Sequence, residues 1–129
     1  MKYYILAATI LLSITSCRTT PKDTAGKGGS ASIIVYPQHH QIAKRLINGK
    51  VYVRYNTLDV PTSGVYDDSM ICSNHDSLIS CTFTGLKNGN YYFYATGYDT
   101  SISQAVKGGS PYTITAQTTQ SFNLPVSEN

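Results

Sequence analysis

The stretch Tyr91-Tyr92-Phe93-Tyr94-Ala95-Thr96-Gly97-Tyr98 decides the fold class. It is dominated by aromatic residues, which fit a pleated surface better than a helix. At the two-residue period of a strand, Tyr91, Phe93 and Ala95 share one face, and Tyr92, Tyr94 and Tyr98 share the other. One set has to pack inside, and the other is free to add to an exposed aromatic surface.

The same period extends outward in both directions. Gly85-Leu86-Lys87-Asn88-Gly89-Asn90 reads as a tight connection, with Asn88-Gly89 suited to positive φ, and Leu78 to Thr84 as the strand before it. Lys50 to Thr57 alternates, with Val51, Val53 and Tyr55 pointing one way and Tyr52, Arg54 and Asn56 the other. A short β-branched run, Ser32 to Tyr36, ends at Pro37. Residues 42–47 could form a helical turn, next to the turn signal Asn48-Gly49. A loop with Pro61 and Gly64 precedes a strand near Ser69–Ser73. Lys107-Gly108-Gly109-Ser110 reads as a Gly-rich loop before strands at Tyr112–Gln117 and Gln120–Val126. About seven short strands and no long helix predict an all-β chain, a single immunoglobulin-like or transthyretin-like antiparallel β-sandwich.

Two segments carry a resemblance. Gly49-Lys50-Val51-Tyr52-Val53-Arg54-Tyr55, followed later by Phe83-Thr84-Gly85-Leu86-Lys87-Asn88-Gly89-Asn90-Tyr91-Tyr92-Phe93-Tyr94-Ala95, resembles the transthyretin-like sandwiches, among them the carboxypeptidase regulatory-like and collagen-adhesin B-type repeats. Gly97-Tyr98-Asp99 with Val106 to Pro111 also resembles small bacterial lipoproteins carrying this domain. The resemblance spans residues 32–129. It implies a spacer, adhesin module or accessory domain and no particular ligand. Collagen-adhesin repeats often carry an isopeptide bond assisted by a buried glutamate. Here the only glutamate is Glu128, which argues against one.

The amino terminus reads as an address. Met1-Lys2-Tyr3-Tyr4 and the apolar run Ile5 to Ile14 match the charged and hydrophobic regions of a signal peptide, and the run is too short to span a bilayer. Ile14-Thr15-Ser16-Cys17 resembles a bacterial lipobox, which implies cleavage after residue 16 and acylation of Cys17. The expected organisation is a signal peptide over 1–16, a lipidated cysteine and flexible tether over 17–31, and the β-domain over 32–129. The polar, Gly-rich composition of residues 18–31 is the reason for reading them as a tether. The implied location is the cell envelope, lipid-anchored to a membrane, with the outer membrane favoured and its periplasmic face or the cell surface both open.

Net charge is +3 with histidines neutral, and like charges do not cluster, so nucleic acid is not expected as a partner. Beyond the anchor, Cys72 and Cys81 form an even pair in an exported chain, which reads as a disulfide. Their spacing suits a hairpin centred on Asp76-Ser77 that sets them directly opposite each other, within bonding reach. Two free buried thiols are the alternative.

Candidate chemistry is sparse. His39, His40 and His75 raise a metal or haem question, but adjacent residues of an extended chain point in opposite directions, and solvated loop histidines account for them. Asp67, Asp68 and Asp99 could bind calcium, yet turn capping by aspartate explains all three. No catalytic triad or nucleophile elbow is recognisable. No catalytic residue, metal ligand or cofactor is therefore assigned, and the chain is expected not to be an enzyme. The remaining candidates are Tyr52, Arg54, Tyr92, Tyr94 and Tyr98, a surface suited to protein or glycan recognition. The expectation is a lipid-anchored binding or structural module with an envelope protein or glycan as partner. The rivals are an accessory or inhibitory subunit of an envelope enzyme or transporter, and a metal or haem carrier.

Overall fold

The computed structural model describes residues 24–41, 46–76 and 78–128. The signal peptide, Cys17 and the first part of the expected tether lie outside them. The described residues are all-β, with eight strands: β1 (Lys27–His39), β2 (Leu46–Tyr55), β3 (Asp68–Ile71), β4 (Ser73–His75), β5 (Leu78–Leu86), β6 (Gly89–Asp99), β7 (Gln104–Ile114) and β8 (Thr119–Glu128). They run in the order β3-β2-β6-β7-β8-β1-β5-β4. Among the described residues no helix is long and apolar enough to cross a membrane.

The sheet behaves as two halves folded onto each other, because β7 and β8 pair only through Val106↔Glu128 and Lys107↔Ser127. The core fills the space between the halves. Phe83 of β5 meets Phe93 of β6 edge-on at 5.5 Å, and Phe93 meets Phe122 of β8 at 5.3 Å. Ile33, Val35, Val51, Val53 and Leu124 are fully buried around them. Each such side chain contributes roughly 1.5–3 kcal/mol by leaving water.

The alternation of β6 is as the sequence predicts. Tyr91, Phe93 and Ala95 are fully buried, and Val51 and Val53 of β2 pair with Ala95 and Phe93 on the same inner face. Tyr91 is the polar member of that row. Its hydroxyl donates to the Lys87 carbonyl at 2.7 Å and accepts from the Gly26 N–H at 2.9 Å, tying the β5–β6 turn to the start of the fold.

The cysteine expectation also holds. Cys72 and Cys81 are joined, their Cα atoms 4.5 Å apart, and the β4/β5 register Ser73↔Ser80 through His75↔Leu78 sets them opposite.

Several expectations are corrected. The tether is too long as predicted: β1 begins at Lys27, and Ala25 and Ala31 are buried, because the glycines let the chain lie against β5. A Cβ on Gly29 would collide with the Leu86 carbonyl. Pro37 does not end β1. It falls beyond the last β5 pair, Val35↔Cys81, and continues alongside β8. There are eight strands rather than seven, and the sheet is not wholly antiparallel, since the first and last strands, β1 and β8, run parallel. Leu46 and Ile47 are extended in β2 rather than helical. Asn48-Gly49 is no turn but a bulge within β2, with Asn48 at φ 53° and the β6 register shifted by one between Ile47 and Lys50.

Gly108-Gly109 is not a loop but the middle of β7. Both positions need the missing side chain. A Cβ on Gly108 would strike the Pro125 carbonyl of β8, and one on Gly109 would strike the Tyr92 phenol lying across it. Gly-rich composition here marks close approach, not a turn.

Two stability outcomes follow. Gly108→Ala destabilises by about 1–3 kcal/mol in denaturant titration, more than Gly109→Ala, because backbone cannot rotate aside as a tyrosine can. Tyr91→Phe strands the Gly26 N–H and the Lys87 carbonyl and costs about 1–3 kcal/mol in the same measurement.

Candidate functional site

Two places bring chemistry together, and both are positioned by β6. On its outer face, even-numbered residues meet an aromatic loop residue that the sequence reading did not single out. Tyr66, near the end of the segment 56–67, folds back over the sheet. Its ring stacks on Tyr94 at 5.8 Å with planes 20° apart, and lies 5.4 Å from Tyr52. Tyr52 and Tyr94 are cross-strand partners with rings 6.5 Å apart. Lys50 Nζ sits 4.8 Å from the Tyr52 ring centre. All three rings are half-buried, each keeping part of its surface in solvent.

The other predicted surface residues divide. Tyr92 is only 7% exposed, packed over Gly109 of β7, so it lies covered beside the platform and adds little open surface. Burial pushes the Tyr66 and Tyr92 phenols above their ordinary range, with neighbouring tyrosines adding to the effect. Arg54 is drawn aside to Asp67, 3.2 Å from its Oδ1. Tyr98 is exposed but lies further along β6, opposite Ile47 and Ala105, and joins none of the ring contacts. No sequence signal distinguishes Tyr66, because its value lies in how the loop returns.

The loop is held by its own carboxylate. Asp67 Oδ2 accepts the Tyr55 N–H at 2.7 Å, and the Asp67 N–H donates to the Val53 carbonyl at 2.9 Å. Asp68 is paired with Lys27 at 3.1 Å. These contacts use Asp67 and Asp68, and they leave a depression of about 440 Å³ beside the rings, lined by Tyr52, Gly64, Tyr66, Asp67, Asp68 and Ser69. The calcium alternative fails on placement: Asp68 pairs with Val53, whereas Asp99 lies at the other end of β2, opposite Leu46.

The second place is at the end of the inner row of β6. Asp99 continues the series of Tyr91, Phe93 and Ala95 and is fully buried. A buried carboxylate needs partners. His39, also fully buried at the end of β1, donates from Nδ1 to Asp99 Oδ2 at 2.8 Å, and the Ser101 N–H donates to Asp99 Oδ1 at 2.8 Å. His39 is therefore not a solvated loop histidine. Glu128, at the end of β8, brings Oε2 to 3.2 Å from His39 Nε2 and Oε1 to 3.1 Å from His40 Nε2. The two imidazoles do not diverge as an extended chain predicts. His40 and Gln41 adopt left-handed backbone, φ 50° and 59°, and the ring centres of His39 and His40 come within 4.0 Å. His75 takes no part. It is exposed on β4.

Burial opposes a charge on His39, but the carboxylates of Glu128 and Asp99 outweigh it and raise the pKa above 6.5. Glu128 is held down to about 2, first by a backbone hydrogen bond and then by the two histidines. These shifts set a stability window for the chain. The His39 contribution is complete below pH 6.5 and is lost as pH rises through its raised folded-state value. The Glu128 contribution is complete above 4.5 and is lost as pH falls toward 2. Melting temperature measured with chelator present is expected to peak between about pH 4.5 and 6.5 and decline on both sides. His39→Asn should flatten the alkaline decline. An unchanged alkaline limb in that variant would show that the buried pair does not set it.

Comparison with protein-family models, curated proteins and solved structures finds no match to this chain. What the two sites can do follows from their geometry alone.

Proposed function

We propose that this chain is a non-enzymatic binding module of the bacterial cell envelope, tethered through a lipid on Cys17, and that it recognises a glycan on the outer face of β2 and β6. The observation that carries the reading is the Tyr66–Tyr94 stack with Tyr52 beside it, two half-buried rings on the sheet and a third brought over them by the loop. Sugar rings present C–H faces that pack on aromatic surfaces. The polar groups of Asp67, Asp68 and Ser69 around the adjoining depression suit hydroxyl recognition. Anchoring Tyr52 and Tyr94 on strands, and the loop that carries Tyr66 through Asp67, lowers the ordering cost of binding. The signal-like and lipobox-like residues 1–17 support the envelope location, and the likeness to adhesin-type sandwiches agrees with a binding role.

A second reading has its own observation. Val60, Val65, Met70 and Ile71 are exposed in the loop and at the β3 edge, with Ile71 the most open at 77%. That edge suits a protein partner and the role of an accessory or inhibitory subunit.

Titration of the purified chain with soluble envelope oligosaccharides discriminates between the two. Tyrosine emission is a clean readout because tryptophan is absent. Tyr66→Ala and Tyr94→Ala should each weaken binding by about tenfold or more, while Tyr98→Ala should leave it unchanged. Saturable glycan binding that survives both alanine variants would remove the platform from the explanation. No binding to any oligosaccharide, together with an Ile71-dependent protein complex, would favour the accessory role.

A further inference from the structure

The cluster of His39, His40 and Glu128 has the makings of a metal centre, in a chain whose sequence pattern argues against one. One ring nitrogen of each histidine and a carboxylate oxygen of Glu128 lie within 4.8 Å of one another. Ligands bound tetrahedrally to one ion, at roughly 2.0–2.1 Å each, stand about 3.3–3.5 Å apart. The 3.2 Å and 3.1 Å separations from Glu128 to the two histidines are close to that spacing. Small side-chain rotations would bring all three onto one ion.

The surroundings orient the ligands as a metal needs. Asp99 accepts the Nδ1–H of His39, which leaves Nε2 with the lone pair when the ring is neutral. A carboxylate behind a histidine is the common outer partner of a bound metal, fixing the ring and raising its basicity. Ser101 in turn holds Asp99 through its N–H and hydroxyl. His39 Nε2 is itself completely buried and, among the described residues, makes no hydrogen bond. Glu128 Oε2 is near it but out of line. A buried ring nitrogen 3.2 Å from a carboxylate oxygen and yet without a hydrogen bond calls for an explanation, and a shared ion supplies one.

The backbone adds to this. Non-glycine residues rarely adopt left-handed φ, yet His40 and Gln41 do so in succession. That turn is what swings the His40 ring to the His39 side. The parallel register of β1 and β8, with His39 opposite Val126, carries Glu128 past the strand end to meet both rings.

We propose that His39 Nε2, His40 Nε2 and the Glu128 carboxylate bind one Zn²⁺, with Asp99 as the positioning partner of His39. Two imidazoles and one carboxylate match zinc and its late first-row neighbours, and not calcium or magnesium, which take oxygen ligands. His39 closes the site on the core side. His40, with 62% of its side chain exposed, and Glu128 leave it open to solvent. A fourth coordination position therefore faces water.

The test is calorimetric titration of the purified full chain, prepared with no polyhistidine tag, with Zn²⁺ near neutral pH. One ion per chain is expected. His40→Ala and Glu128→Gln change exposed or partly exposed side chains and should keep the fold, monitored by circular dichroism. Each should weaken Zn²⁺ by more than the roughly 10–100-fold that loss of an outer partner costs. Asp99→Asn should fall within that 10–100-fold range. Co²⁺ substitution adds an independent readout, with visible absorption of a four-coordinate ion in the wild-type chain and its loss in His40→Ala. His75→Ala is the control and should bind as wild type. Absence of one-to-one binding overturns the proposal. So does binding that is unaltered by His40→Ala and Glu128→Gln, or reduced equally by His75→Ala.

Discussion

Strand β6 is hydrogen-bonded along both edges, to β2 on one side and β7 on the other, and that double pairing is the constraint on which the rest depends. A strand fixed on both sides cannot slip by one residue without sending Tyr91, Phe93 and Ala95 into solvent and Tyr92 and Tyr94 into the core. Both faces are aromatic, so hydrophobicity alone does not choose between them. The choice is made by what each face meets. The inner row finds Phe83, Phe122 and the valines of β2, whereas the outer row finds the glycines of β7 and the returning Tyr66.

The inner row has polar ends, and each is satisfied differently. At one end the Tyr91 hydroxyl uses backbone partners and closes the turn from β5. At the other, Asp99 lies where the same period has to bury it, and a buried carboxylate without partners is expensive. His39 and Ser101 fill that need. The outer row makes the aromatic platform, and the inner row ends at the His39–Asp99 pair. One strand thus positions two chemically unlike sites, one for stacking and one for charge and lone pairs.

Much of the fold was legible because strand period is a local property. The alternations at Lys50–Thr57 and Tyr91–Tyr98 and the Cys72–Cys81 pairing each depend on residues near in sequence, and the structure agrees with them. The failures share a cause. Gly108-Gly109 looks like a loop because glycine is read as a turn signal, but here it makes room for Pro125 and Tyr92, residues that sequence distance hides. Asn48-Gly49 is a bulge for the same kind of reason, since only the register with β6 separates a bulge from a turn. The glycines before Ser32 suggest a tether, yet Gly29 lies against the Leu86 carbonyl inside the sheet.

By itself the sequence determined the all-β class, the division of the central strand into two alternating sets, and a cysteine spacing that suits a disulfide, because period and short-range spacing are written into adjacent residues. The sites were decided by tertiary structure. Tyr66 joins Tyr52 and Tyr94 only because the loop from β2 folds back over the sheet. His39, His40 and Glu128 meet only because β1 and β8 run parallel and His40 turns into left-handed backbone. The His40–Glu128 contact alone joins residues 88 positions apart. Local pattern carries no record of such distances, because they are set by how strands pair and not by the composition of any one strand.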